Sequence, residues 1–264
     1  MTAAPGRYAV GIDLGTTNTV IASALLESDD DARVFEVPQL VSAREVEERA
    51  LLSSALYAAF EGEQVDDPFG DAPWIIGEHA RRRGVEVAGR LVASSKSWLV
   101  HGGVDRTAPI LPWGSEEGAP KLSPIDAAAR LLAHVRRVWD ARHPFSPMAQ
   151  QDLVLTVPAS FDEVARELTV EAARRAGLAP KLLEEPQAAF YDWLARAGRD
   201  GLRRLTARVG GDALVLVVDV GGGTTDLSLL RVAAAERVTR TAVGPHLLLG
   251  GDNMDLALAH ACEP

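Results

Sequence analysis

Hydrophobic and polar positions alternate in short blocks at the start of this 264-residue chain. Residues 8–14 and 17–25 are mostly apolar runs joined at a Gly-Thr-Thr turn, which predicts a β-hairpin. Residues 33–37 contain a further short run with Val and Phe, and we expect a third strand there. The chain is therefore expected to begin with successive strands of antiparallel character.

The spacing of apolar residues then changes to a helical period. Residues 75–83 predict a short strand that enters a short helix. Ser123 and Pro124 open a longer helix, because Ser is a favourable N-cap and Pro suits the first helical position. Apolar residues recur at helical spacing from there to about residue 142.

Strands and helices continue to alternate in the second half of the chain. Residues 153–157 predict a short apolar strand. Ser160 and Glu163 have the spacing of a capping box, so we expect a helix to begin there and to end near Gly177. A further helix is expected to begin at Pro186.

A second hairpin follows these helices. Residues 214–218 begin an apolar strand that passes through a glycine-rich turn into another strand ending near residue 229. A final helix is expected to begin near Asp252. Residues 101–122 are expected to form a loop, and residues 42–73 are hard to assign. The order of strands and helices predicts an α/β fold.

Composition narrows the classes of function. The formal net charge of −10 disfavours a nucleic-acid partner, because binding to a phosphate backbone requires basic surface. The single cysteine excludes an internal disulfide and fits a reducing compartment. The sequence has no apolar signal core at its start and no run of roughly 20 apolar residues that would cross a membrane. We therefore expect a cytoplasmic protein without a membrane partner.

The two hairpin turns share one unusual sequence. Residues 10–21 and 214–229 each place an apolar strand before Asp13 or Asp219, and a Gly-Thr-Thr turn before a second strand. Glycine allows a backbone to approach a ligand closely, and successive N–H groups in such a turn form an anion-binding concavity. One such turn can be an ordinary hairpin tip, but two predict a pair of loops that clamp a polyphosphate. The sequence has no Walker A or dinucleotide-binding motif, and no metalloprotease, nucleophile-elbow or paired zinc-cysteine motif.

Further segments occur in a fixed order around these loops, at residues 74–80, 94–98, 155–161 with Arg166, 182–190, and 250–255. Together with the loops, they resemble the actin-like ATPase superfamily, and within it the heat shock protein 70 (DnaK-type) chaperones. Met254 stands where the family pattern has an aromatic residue. The resemblance covers nearly all of residues 8–264.

The resemblance implies an actin-like ATPase, ribonuclease H-like fold of two lobes. The expected lobes are residues 1–208 and residues 209–264, the first complete and the second truncated, because the family's ATPase module extends beyond the segment at 250–255. The implied function is binding and hydrolysis of Mg-ATP to drive protein folding. Nucleotide, protein clients and co-chaperones are the implied partners, and ATP/ADP and Mg²⁺ the cofactors.

The resemblance also implies roles for individual residues. Glu185 would orient the attacking water, Lys96 would stabilise charge on the γ-phosphoryl group, and Thr224 would help to position it. In the family pattern, Arg166 acts with Pro158 to relay the nucleotide state. The implied nucleotide-binding residues lie in the two turns and at the start of the last helix, namely Gly15, Thr16, Thr17, Asn18, Gly221, Gly222, Gly223, Thr224, Thr225, Gly250 and Gly251.

Three carboxylates are expected to face the same phosphates, those of Asp13, Glu185 and Asp219. At about 6 Å and an effective dielectric near 20, each carboxylate–phosphate pair costs roughly 3 kcal/mol. A divalent cation is therefore required, and magnesium is expected to be held by these residues largely through water.

Several alternatives remain open at this stage. Glu184 is an alternative to Glu185 as the residue that orients the attacking water. Lys96 and Arg166 could instead be surface residues without a role at the nucleotide. For function, the alternatives are a non-hydrolysing nucleotide-binding regulatory module and a sugar-kinase-like phosphotransferase on the same fold. For the 264-residue chain itself, we expect weak hydrolysis, similar affinity for ATP and GTP, and self-association through apolar strands.

Overall fold

The computed structural model describes residues 7–28, 30–115, 118–198, 200–233, 237–245 and 247–263. The chain divides into two compact units. Unit 1 comprises Met1–Leu155 and Asp162–Leu182, and unit 2 comprises Thr156–Phe161 and Leu183–Pro264. The expected lobe boundary after residue 208 stays a prediction.

The elements of the first part of the chain are mainly short strands. The strands are β1 (Tyr8–Leu14), β2 (Asn18–Leu25), β3 (Arg33–Val34), β4 (Val37–Ser42), β5 (Glu45–Arg49), β6 (Leu52–Ser53), β7 (Leu56–Ala58), β8 (Trp74–Ile76), β9 (Leu91–Val92), β10 (Asp152–Val157) and β11 (Lys181–Glu184). The helices are α1 (Glu78–Glu86), α2 (Ser95–Trp98), α3 (Pro124–Arg142), a 3-10 turn (Met148–Gln150) and α4 (Glu163–Arg175).

One six-stranded sheet organises these elements. Its order is β11-β10-β1-β2-β3, and β6 pairs with β2 beside β3. Strand β1 runs antiparallel to β2 and parallel to β10, so the predicted first hairpin is confirmed. Two smaller sheets, β4-β5 and β8-β7-β9, carry the segment between β3 and α2.

Helix α3 supplies much of the core of unit 1. The Ser123 hydroxyl accepts a hydrogen bond from the Asp126 N–H at 3.1 Å, and Pro124 occupies the first turn, as the sequence predicts. The apolar face of α3, including Leu132, Val135 and Trp139, is buried in the same cluster as the inward side chains of β1. These contacts fix the strand that leads into the first Gly-Thr-Thr turn.

Two predictions about local structure are wrong. The third strand does not continue through residues 33–37, because β3 pairs with β2 whereas Val37 already belongs to the β4-β5 hairpin. The capping box at Ser160 is not formed either. Asp162 caps α4 by accepting from the Ala165 N–H at 2.7 Å, and the Ser160 hydroxyl instead donates to Asp226 at 2.8 Å.

Unit 2 is built around a second antiparallel sheet. Its elements are α5 (Glu185–Ala197), α6 (Gly201–Val209), β12 (Ala213–Val220), β13 (Thr225–Val232), β14 (Val238–Val243) and α7 (Gly251–Cys262). The strand order is β12-β13-β14. Phe190 of α5 and Leu202 of α6 pack with Leu230 and Val232 of β13. Helix α6 was not predicted, whereas the second hairpin, α5 and α7 are confirmed.

Across the part of the chain that the structure describes, no helix combines the length and hydropathy needed to cross a bilayer.

Candidate functional site

The first loop, residues 13–18, lies in unit 1 between β1 and β2. Asp13 is exposed near the end of β1. Gly15 sits where an added Cβ would clash with the carbonyl oxygen of Asn18, so the turn can close only with glycine. Thr16 and Thr17 form the tip, and the carbonyl of Thr17 accepts a hydrogen bond from the Ser54 N–H at 2.8 Å. The structure thus brings the predicted residues of this loop together in one tight turn.

The second loop, residues 219–225, lies in unit 2 between β12 and β13. Asp219 is half-buried on β12, opposite Asp226 of β13. The Gly221 N–H donates to the carbonyl of Thr224 at 2.8 Å and closes the turn. Gly222, Gly223 and Thr225 complete the loop, which has the same hairpin form as the first.

The start of α7 packs directly on this second loop. The Gly251 N–H donates to the Gly221 carbonyl at 3.0 Å, and the Asp252 N–H donates to the Gly222 carbonyl at 2.8 Å. A Cβ added at Gly250 would lie 2.5 Å from the Gly222 oxygen, so only glycine allows this approach. The Gly-Gly pair therefore holds the loop by its backbone, and direct contact of Gly250 or Gly251 with nucleotide stays a prediction.

Thr225 adds a further connection between the loop and the segment before α7. Its N–H donates to the Leu247 carbonyl at 2.9 Å, and its hydroxyl donates to the Leu249 carbonyl at 2.6 Å. Gly221, Gly222 and Thr225 of the second loop thus form one hydrogen-bonded assembly with residues 247–252.

Asp226 belongs to this assembly but was missed by the sequence analysis. Its side chain is buried, and it accepts hydrogen bonds from the hydroxyls of Ser160 at 2.8 Å and Thr224 at 3.2 Å. The available signal was its place directly after the Gly-Thr-Thr turn, where the first loop has Asn18. Asp226 orients Thr224, one of the predicted catalytic residues.

Glu184 and Glu185 occupy different environments in unit 2. Glu184 ends β11 and forms an ion pair with Arg240 of β14. Glu185 is the first residue of α5 and is half-buried. The ion pair gives Glu184 a structural role, which favours Glu185 as the residue at the water. That role of Glu185 stays a prediction.

Lys96 lies on the one-turn helix α2 of unit 1. The helix follows Ser94, whose φ of 53° places it in the left-handed region. Lys96 is half-buried, and its role at the γ-phosphoryl group stays a prediction.

The sequence predicts that magnesium is held by the carboxylates of Asp13, Asp219 and Glu185. Among the residues that the structure describes, no group of three or more His, Cys, Asp or Glu side chains is placed to hold a metal ion. Asp13, Asp219 and Glu185 supply oxygen donors of the kind magnesium uses with several retained waters. Their chemistry fits a water-mediated site, which stays a prediction.

Comparisons with known proteins identify the relatives of this chain. The family model described as Hsp70 protein matches residues 110–263, which include the second loop. The chaperone protein HscA of Salmonella agona (strain SL483) is 32% identical over 263 residues, covering 96% of this chain and 37% of its own length. The chaperone protein HscA homolog of Actinobacillus pleuropneumoniae serotype 5b (strain L20) is 33% identical over 273 residues, covering 98% of this chain and 38% of its own length.

The chain spans less than two fifths of the length of these curated relatives. Their matches extend over almost the whole chain and so include the first loop as well as the second. Because the family model covers more than half of the chain, this protein belongs to the Hsp70 family.

Proposed function

We propose that this chain is the nucleotide-binding, ATPase part of an Hsp70-type chaperone and that it binds and hydrolyses Mg-ATP. The observation that supports this most strongly is the construction of the second loop. Its tip is held by backbone hydrogen bonds from Gly251 and Asp252 and by the hydrogen bond from Thr224 to Asp226. Such a preformed turn presents backbone N–H groups to phosphate oxygens without further ordering.

Each predicted residue has a defined task in this proposal. Thr16, Thr17 and Asn18 donate N–H and OH groups to β- and γ-phosphate oxygens, and the backbone N–H groups of Gly222, Gly223 and Thr224 do so from the second loop. Glu185 accepts a hydrogen bond from the attacking water and orients it toward phosphorus. Lys96 places positive charge beside the transferring group.

The three carboxylates hold the metal. Asp13, Asp219 and Glu185 would hold Mg²⁺ largely through water, and the ion would neutralise charge on the phosphates. Without it, these side chains repel the polyphosphate by roughly 3 kcal/mol each. The use of hydrolysis to drive folding of client proteins, with co-chaperones, is part of the same proposal and concerns the whole protein.

The first test is calorimetric titration of the chain with ATP. We expect binding in the presence of Mg²⁺ and much weaker binding in EDTA, because the carboxylates then repel the phosphates. Asp219→Asn should reduce this difference between the two conditions, since it removes one repelling charge and replaces a charged acceptor for the metal's waters by a neutral one. Equal affinity of the unaltered chain with and without Mg²⁺ would contradict the proposed metal site.

A second measurement separates hydrolysis from binding alone. Phosphate release from ATP without an added acceptor supports an ATP hydrolase and opposes a sugar-kinase-like transferase. Binding with no release in single-turnover conditions would instead indicate a non-hydrolysing regulatory module.

A further inference from the structure

Gln39 is a buried polar residue of β4 that has no place in the predicted site. Its side chain is 1% exposed, yet its amide contacts three separate backbone groups. The Nε2 donates to the Leu51 carbonyl at 2.8 Å, and the Oε1 accepts from the Glu78 N–H at 3.0 Å. The Oε1 also accepts from the Ser53 N–H at 3.5 Å. One side chain therefore connects β4, residues 51–53 and the start of α1.

Residues 51–54, which we call the bracing segment, lie against the first loop. Strand β6 pairs with β2 so that Ser53 is opposite Asn18, and the Ser54 N–H donates to the Thr17 carbonyl at 2.8 Å. The hydroxyls of Ser54 and Thr19, both buried, are 2.9 Å apart and hydrogen-bonded. The shape of the first loop thus depends on the position of the bracing segment.

The start of α1 is also held by Gln39. The N-cap of α1 is Gly77, which has no side chain to cap the helix, and Gln39 takes over that function at the Glu78 N–H. Glu78 is fixed in turn by hydrogen bonds from Arg81 at 2.8 Å and Arg82 at 2.7 Å. The Arg81 hydrogen bond, assisted by Arg82, lowers the pKa of Glu78 to about 2. Gln39 is therefore anchored on a rigid helix start.

We propose that Gln39 is a positioning residue for phosphate binding, because it fastens the bracing segment to α1 and so keeps the first loop preformed. This inference rests on the proposed function of the first loop. A loop that is already ordered loses less conformational entropy when a ligand arrives, so its affinity is higher. Removal of the amide would leave the buried N–H of Glu78 without its partner, which is costly, and would release the Leu51 carbonyl.

Two substitutions of Gln39 and one control test the proposal. Gln39→Met keeps the length of the side chain but removes every polar contact. Gln39→Glu keeps an oxygen acceptor for Glu78 and Ser53 but lacks the donor to Leu51. Ser123→Ala is the matched control, since it removes a buried hydroxyl that caps α3 in the same unit and makes no hydrogen bond to the bracing segment in the described structure.

Hydrogen exchange of the nucleotide-free protein gives the first readout. Gln39→Met should raise exchange at residues 17–19 and 51–54 by about tenfold or more, with Gln39→Glu intermediate and Ser123→Ala unchanged at these sites. A merely structural loss of stability would affect Gln39→Met and Ser123→Ala alike. Exchange in Gln39→Met equal to that of the unaltered protein would overturn the proposal.

Titration with Mg-ATP gives the second readout. Gln39→Met should raise Kd by about tenfold, whereas Ser123→Ala should leave it within about twofold. If the unaltered protein does not bind Mg-ATP, the proposed function fails, but the exchange measurement still decides the role of Gln39. If Gln39→Met does not fold, Gln39→Glu and Ser54→Ala are compared with the unaltered protein instead. Unchanged exchange at residues 17–19 in both variants would overturn the inference.

Discussion

Single residues hold the two loops in place in two different ways. Gly15 and Gly250 matter because the backbone passes too close for a side chain. Asp226 and Gln39 matter because their buried side chains hydrogen-bond to groups distant in sequence. Local sequence reveals the first kind, whereas the second kind becomes visible only when the chain is folded.

Lys96 is the residue whose proposed role can be tested most directly. In the whole protein, Lys96→Ala should lower the single-turnover rate of phosphate release by roughly 10²–10³-fold, because in its proposed role the lysine charge acts on the transferring group. The affinity for Mg-ATP should change much less. Lys121→Ala provides the control, since Lys121 is an exposed lysine of the same unit. A rate in Lys96→Ala close to that of the control would assign Lys96 to the surface.

His134 makes the stability of unit 1 depend on pH. Burial of its ring in α3 lowers its pKa to about 4, although Asp67 and the carbonyl of Pro38 oppose this shift and Arg137 adds to it. A base with a lowered folded pKa takes up its proton more readily when unfolded. The contribution of neutral His134 to the free energy of unfolding is therefore complete above about pH 6.5 and declines as the pH falls toward 4.

We expect the free energy of unfolding to be about 1–2 kcal/mol lower at pH 5 than at pH 7.5 through this group. His134→Gln should remove most of that difference, because an amide can donate to the Pro38 carbonyl without titrating. Urea unfolding at the two pH values measures the effect, and exposed His101, replaced by Gln, serves as the control. If the pH dependence of the free energy of unfolding persists fully in His134→Gln, it does not come from His134.

Among the elements, those with strong local signals were predicted correctly. The two hairpins have apolar strands around glycine turns, and α3 has both a cap and a regular apolar face. Residues 33–37 were assigned to one strand because local propensity does not say which partner each part pairs with. Helix α6 was missed although Leu202, Leu205 and Val209 recur at helical spacing, and Leu202 and Leu205 pack in the core of unit 2.

The candidate functional site was likewise predicted only in part from the sequence. Both loops and the Gly-Gly pair could be predicted, because close backbone approaches require glycine at fixed positions. The connections through Gln39 and Asp226 could not, since their hydrogen bonds join residues up to 66 positions apart. Sequence therefore located the loops but not the side chains that hold them.

The start of α4 offers a test at the level of one element. Asp162→Ala should destabilise unit 1 by about 1 kcal/mol, because it removes the N-cap that accepts from Ala165. Ser160→Ala should leave the stability of α4 unchanged, since Ser160 bonds to Asp226 instead. Hydrogen exchange of the first turn of α4 distinguishes the two variants. Faster exchange in the first turn of α4 in Ser160→Ala would show that Ser160 caps this helix after all, as the sequence predicted.

At the scale of the whole molecule, one sheet face is unusually apolar. Strand β12 alternates so that Ala213, Val215 and Val217 face the core of unit 2. The outward residues are also apolar, with Leu214, Leu216, Val218 and Val220 between 55% and 63% exposed. A half-buried strand normally carries polar residues on its outer face, so this surface favours association.

We therefore expect the 264-residue chain to self-associate with rising concentration, although its net charge of −10 opposes association. The double variant Leu216→Thr with Val218→Thr should shift sedimentation toward the monomer and reduce binding of a hydrophobic dye. Threonine keeps the preference for strand structure, so the fold should persist, as circular dichroism can verify. Leu26→Thr removes a similarly exposed apolar side chain in unit 1 and should leave association unchanged. If the unaltered chain stays monomeric over the whole concentration range, or if the control variant acts as strongly as the double variant, the outer face of β12 is not the surface that associates.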